Sequence, residues 1–223
     1  MCGRFTLTVS PEQLRAALPG FFIPEGFQPR YNIAPSQPVA VIPNDGKNQL
    51  DFFVWGLIPS WAKDPSIGNR LINARAETLV EKPSFRSAFR RRRCMVLADG
   101  FYEWKTEIGR KSKTPMYIKL ASGEPFAFAG LWETWQSPDG SQVQSCTIIT
   151  TEPNDLIRPI HNRMPVILPA EAHAAWLEQG DVDPTRLQRL LTPYISQTML
   201  AYPVSTLVNS PNNEDALLIQ PAE

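Results

Sequence analysis

The chain has 223 residues, 43% of them hydrophobic, with 22 basic and 22 acidic side chains and a formal net charge of zero. That length suits one domain, residues 1–223, with a sizeable core. A zero balance argues against a protein that coats duplex DNA by bulk charge, and no apolar run approaches the roughly 18 residues a membrane span needs.

The predicted elements run as follows. Ser10-Pro11-Glu12-Gln13 has the form of a helix start, with Ser10 as cap and Gln13 able to reach back, and the helix ends near Pro19-Gly20. Residues 21–37, rich in Pro and Gly, read as loop. Short apolar runs bounded by turn formers then predict strands at Val39–Ile42, Leu50–Leu57, Cys94–Ala98, Pro115–Leu120, Phe126–Leu131, Cys146–Thr150 and Met164–Leu168. Ser122-Gly123-Glu124 and Ser137-Pro138-Asp139-Gly140 read as hairpin turns. Helical patterns cover Ser84–Arg92, Pro169–Glu178 and Pro184–Leu191, the last capped by Asp183. A final strand is expected near Leu200–Val204. The class is α/β of the α+β kind, β-rich, with strands in the middle and helices at the edges.

Charge is unevenly distributed. Residues 60–120 carry 14 Lys and Arg against 6 Asp and Glu, whereas residues 121–223 carry 4 against 12. Folding of the basic stretch onto one face would create an anion-binding surface, and the competing reading of Arg90 to Arg93 is a solvated helix end. The three cysteines, Cys2, Cys94 and Cys146, are widely spaced and fit neither a disulfide framework nor a zinc site. With only His161 and His173, no metal site is expected. The start, Met1-Cys2-Gly3-Arg4-Phe5, has no basic segment followed by an apolar run, so a reducing cytoplasmic location is expected.

Cys2 is the first chemical candidate. Removal of Met1 would leave a free α-amine beside a thiol. The amine condenses with an aldehyde to an imine, and the tethered thiol then closes a five-membered thiazolidine ring. Such chemistry needs acid–base groups. Glu103, between aromatics in Asp99-Gly100-Phe101-Tyr102-Glu103-Trp104, is a candidate for a raised pKa. His161, in Ile160-His161-Asn162-Arg163-Met164-Pro165, can exchange protons near neutrality. Asn73, in Leu71-Ile72-Asn73-Ala74-Arg75, can orient an amine or a sugar hydroxyl. Arg4, Arg75 and Arg163 each sit beside one of these groups and offer forked donors for phosphate. Trp61, in Pro59-Ser60-Trp61, is placed to stack on a base. Taken singly, each has an ordinary structural alternative: a salt bridge for Glu103, a turn for His161, backbone satisfaction for Asn73, core packing for Trp61.

Six segments in order carry a resemblance: Met1 to Phe5, Arg30-Tyr31-Asn32-Ile33-Ala34-Pro35, Trp55-Gly56-Leu57-Ile58-Pro59-Ser60-Trp61, Ile72-Asn73-Ala74-Arg75-Ala76-Glu77-Thr78, Asp99 to Trp104, and His161-Asn162-Arg163-Met164-Pro165. The sequence resembles the SRAP family of SOS response-associated peptidases, also described as abasic-site processing proteins, over nearly the whole chain. The resemblance implies a single compact β-rich domain with a curved, barrel-like central sheet and peripheral helices. It implies capture of abasic sites in single-stranded DNA as a thiazolidine on Cys2, with Asn73, Glu103 and His161 as the other catalytic groups. Arg4, Trp61, Arg75 and Arg163 are the expected DNA contacts. No cofactor, metal or membrane is implied, and a monomer is expected. Strand cleavage by β-elimination and self-processing as a peptidase are expected side activities. The main alternative is an N-terminal nucleophile amidohydrolase of the glutamine amidotransferase type, in which the Cys2 thiol attacks an amide.

Overall fold

A computed structural model of the chain describes residues 2–107, 109 and 112–222. In chain order the described elements are β1 (Phe5–Leu7), α1 (Pro11–Ala17), β2 (Arg30–Ile33), β3 (Pro38–Pro43), β4 (Asp51–Trp55), β5 (Asn73–Arg75), α2 (Arg86–Arg91), β6 (Arg93–Ala98) and β7 (Gly100–Lys105). They continue with β8 (Thr114–Leu120), β9 (Phe126–Gln136), β10 (Gln142–Thr151), β11 (Met164–Pro165), β12 (Ile167–Leu168), α3 (His173–Trp176), α4 (Pro184–Gln188) and β13 (Met199–Pro203), with short 3-10 turns between them.

Two sheets organise these strands. In the first, β4, β3, β6, β9 and β10 close on themselves, because β10 pairs both with β4, in parallel, and with β9, antiparallel. Closure leaves these five strands no free edge over the paired residues. The second sheet is open, in the order β13-β8-β7-β1-β2. The fold is therefore the β-rich α+β class read from the residues, with the barrel-like centre that the family resemblance implies.

The sheets are joined by aromatic packing. Phe5 of β1 meets Trp55 of β4 at 5.1 Å and Phe128 of β9 at 5.8 Å between ring centroids, and Phe101 of β7 meets Phe128 at 5.9 Å. All four rings are fully buried. Phe5→Ala would cost about 3–5 kcal/mol, because this ring fixes the short β1 onto the barrel.

A second tie is Asp99, between β6 and β7. The chain passes straight from one sheet to the other there. Its buried carboxylate accepts hydrogen bonds from Thr6 Oγ1 (2.5 Å), Thr8 N (2.6 Å) and Val9 N (3.1 Å), so it anchors the strand that follows Cys2.

The structure confirms the Ser10–Gln13 capping box and the Ser137–Gly140 hairpin between β9 and β10. It corrects the hairpin expected at Ser122–Glu124: β8 and β9 belong to different sheets and do not pair. The expected strand at Met164–Leu168 is split. Val166 takes both neighbours in turn, its N–H donating to Ile149 O and its carbonyl accepting from Ala129 N, so β11 pairs with β10 and β12 with β9. The helix expected at Pro169–Glu178 is a 3-10 turn followed by the single turn of α3. Within the 21–37 stretch, β2 pairs with β1.

Candidate active site

Cys2 lies just before β1. The register of β1 on β7 pairs Phe5 with Phe101 and Thr6 with Gly100, and Tyr102 N donates to Arg4 O at 2.9 Å. Continuing that ladder brings Glu103 opposite the residues preceding Arg4. Gly100 makes the register possible, since a Cβ there would lie 2.1 Å from the Tyr117 hydroxyl.

Asn73 arrives on β5, which runs parallel to β10 with Asn73 beside Ile148 and Arg75 beside Thr150. Thr150 also pairs with Pro165 on its other edge. The end of β10 therefore holds the Asn-Ala-Arg segment on one side and the His-x-Arg segment on the other. His161 follows a run of turns and is held by its N–H to Ile157 O at 2.8 Å.

These elements converge on Cys2, which is fully buried. Asn73 Nδ2 donates to Cys2 O at 2.7 Å, while Asn73 Oδ1 is buried and has no hydrogen-bond partner among the described residues. An acceptor in that condition is costly unless something fills it, and it suits an ammonium or a sugar hydroxyl. Glu103 is 2% exposed, and His161 Nε2 lies 3.9 Å from Glu103 Oε2. Burial pushes the Glu103 carboxyl up to about 7. Burial pushes His161 down, so the imidazole is predominantly neutral at pH 7. His161 Nδ1 lies against the backbone of Arg163, 3.1 Å from its N and 3.2 Å from its carbonyl oxygen, and Nε2 faces Glu103. Burial, then the nearby Glu103, raises the Cys2 thiol, which therefore stays protonated at neutrality.

A buried Cys2, an amide oxygen with no partner among the described residues and a raised carboxyl facing an imidazole form the described constellation. Among the described residues no group of three or more His, Cys, Asp or Glu is arranged to hold a metal. Comparison with known proteins decides the lineage. Residues 1–211 match the family model described as SOS response associated peptidase (SRAP).

The chain belongs to the SRAP family. It is 52% identical over 223 residues to the abasic site processing protein YoqW of Bacillus subtilis, covering 99% of each chain. It is 31% identical over 272 residues to the abasic site processing protein HMCES of Rattus norvegicus, covering all of this chain and 76% of that one. A crystal structure of a protein from Bacteroides thetaiotaomicron superposes with a TM-score of 0.87 at 28% identity, with full coverage of both chains.

The four arginine and tryptophan candidates of this SRAP chain have different surroundings. Arg75 and Trp61 are exposed. Trp61 lies on a loop pinned to β9, where Trp135 Nε1 donates to Ala62 O at 2.7 Å and Ser60 N donates to Glu133 Oε2 at 3.3 Å. Arg163 makes a two-pronged ion pair with Glu77, at 2.5 and 3.0 Å, and donates to Thr150 O at 2.6 Å. Arg4 turns inward: its Nη1 donates to Asn32 Oδ1 at 2.7 Å and to Val208 O at 2.8 Å. Glu77, Thr150, Asn32 and Val208 were not singled out in the sequence. Glu77 and Asn32 do lie inside two of the six segments that carry the resemblance, while Thr150 and Val208 carry no local signal.

Proposed function

We propose that this protein processes abasic sites in single-stranded DNA by covalent capture on Cys2 once Met1 has been removed. The observation that carries the reading is the placement of Cys2 against Asn73 and the Glu103–His161 pair. The names of the relatives, at up to 52% identity over nearly full length, support the substrate class.

An abasic sugar equilibrates between a closed ring and an open aldehyde. The Cys2 amine adds to C1′, and loss of water gives an imine. The thiol then adds across that C=N bond: a C–S bond forms, the S–H proton leaves and the nitrogen gains a proton. Glu103, half-ionised near neutrality, is suited to give the proton that expels water and to receive the thiol proton. Neutral His161, with Nε2 facing Glu103, relays protons between that carboxyl and the sugar oxygen. Asn73 Oδ1 holds the amine or the sugar hydroxyl. Arg75 and Arg163 contact flanking phosphates, the latter by exchanging its Glu77 partner for phosphate, and Trp61 stacks on a base. Closure of the thiazolidine withdraws the imine from β-elimination, so strand cleavage is a side path.

Intact mass of the purified protein, with and without an abasic oligonucleotide, tests the reading. The expected result is a chain lacking Met1 and an adduct equal to protein plus oligonucleotide minus one water. A durable adduct on a chain that keeps Met1 would overturn it.

A further inference from the structure

The segment Arg30 to Pro35 has no part in the chemistry above, yet Asn32 within it is fully buried and uses both ends of its amide. Its Oδ1 accepts from Arg4, and its Nδ2 donates to Ser210 O at 2.9 Å and Asn213 O at 2.8 Å. The backbone N–H groups of Tyr31 and Asn32 donate to one carboxylate oxygen of Glu214, and Arg30 Nε donates to the other at 2.9 Å. Residues 205–219 are thus stitched to β2, and through Asn32 and Val208 O to Arg4, two residues from Cys2.

The same segment covers the outer face of β7. Val208 and Leu218 are buried against Tyr102 and Tyr117, with Trp104 packed alongside, and Trp104 Nε1 donates to Asn209 Oδ1 at 2.7 Å. Strand residues alternate in direction. Tyr102 and Trp104 therefore face the C-terminal segment while Glu103, between them, faces Cys2. One segment grips both the strand that carries the carboxyl and the stretch that carries the nucleophile. It matters because β1 spans only three residues and Cys2 lies outside it. Asn213, Glu214 and Leu218 lie beyond residue 211, where the family model ends.

We propose that residues 205–219 clamp the reactive N-terminus, with Asn32 and Glu214 as positioning residues that hold Arg4, and through it Cys2, against Asn73 and Glu103. The proposal deepens the covalent-capture reading and rests on it for the reaction it serves.

The test uses the full chain with Glu214→Ala and Asn32→Ala. One readout is the rate of Cys2 alkylation by iodoacetamide, located by peptide mass. Cys94 and Cys146 are fully buried in the barrel and report any general opening. The other readout is the crosslinking rate on saturating abasic single-stranded DNA, set against affinity for an oligonucleotide carrying a tetrahydrofuran site, which has no aldehyde. Both variants should alkylate Cys2 about 10-fold faster, and crosslink about 10-fold more slowly, as loss of near-attack geometry predicts. Affinity and the protection of Cys94 and Cys146 should not change. Glu214→Gln keeps a carbonyl oxygen for Tyr31 and Asn32 and should stay within about 2-fold of wild type, since it preserves the geometry. The clamp is overturned if Cys2 alkylation is unchanged in both alanine variants. It is also overturned if all three cysteines open together, or if Cys2 opens while crosslinking keeps its rate. Should wild type form no crosslink, covalent capture falls and the alkylation comparison still decides the clamp.

Discussion

The Arg90–Arg93 run and the Cys2 site are both dense in ionisable side chains, and the fold treats them in opposite ways. Arg90 and Arg91 share Asp181, at 2.6 and 2.7 Å, and Arg92 pairs with Glu133. Arg93 is fully buried and donates to the carbonyls of Phe89, Arg90, Trp176 and Glu178, closing the end of α2 against the segment after α3. The most basic stretch of the sequence is therefore mostly matched within the protein. At the Cys2 site the acceptor Asn73 Oδ1 has no partner among the described residues and the Glu103 carboxyl is desolvated. Density of charge along a chain says little about binding. What marks a reactive site is a polar group whose ordinary partner is missing or whose proton is held near neutrality.

The sharpest way to break this contrast is Cys2→Ala. It should lose the durable adduct on denaturing gels by at least about 10³-fold while the amine still forms a borohydride-trappable imine, because the tethered ring closure is gone. Next in size is Arg93→Met, expected to destabilise by about 3–5 kcal/mol because buried carbonyls lose their donor. It should be read by thermal or denaturant unfolding, with reaction rate per folded molecule kept.

Glu103→Gln should slow crosslinking by about 10²-fold and remove the inflection near pH 7 from the pH–rate profile. It has a stability signature too. The folded carboxyl is raised to about 7 from an unfolded value of 4.5, so the native state holds the proton between these limits. Wild-type stability therefore falls as pH rises through that window and levels off above it. The Gln variant should lack this loss, which is at most about 3 kcal/mol. A parallel pH dependence in both proteins would remove the raised carboxyl from the account. Among the DNA contacts, Arg75→Ala should weaken single-strand binding and lower the slope of log affinity against log salt by about 0.7. The smallest effect belongs to Arg90→Ala with Arg91→Ala, which should leave that slope unchanged. An equal drop would show that the run binds DNA and that the contrast is false.

Much of the barrel was legible in the sequence. Its strands β3, β4, β6, β9 and β10, and β8 of the open sheet, are apolar runs with clear borders, and their burial follows that pattern. The strands that deliver the chemistry were not. β1 and β5 have three residues each, too few for any periodicity, and β2 hides in a stretch rich in Pro and Gly. β7 follows directly on β6 across Asp99, and the local sequence cannot show that two sheets meet there. Cys2, Asn73, Glu103 and His161 were named from residue chemistry and family resemblance, and the structure brings them together. Their tuning was illegible: His161 Nδ1 is held by the Arg163 backbone, and the raised Glu103 carboxyl depends on burial that only the folded chain supplies. The Nη1 partners of Arg4, Asn32 and Val208, lie 28 and 204 residues away along the chain.

The enclosure of the Cys2 sulfur has a consequence for durability. Peroxide attacks thiolates that solvent can reach, and this thiol is neither ionised at neutral pH nor accessible. A chain waiting for a lesion should therefore withstand oxidant that converts exposed, acidic cysteines to sulfenic acid.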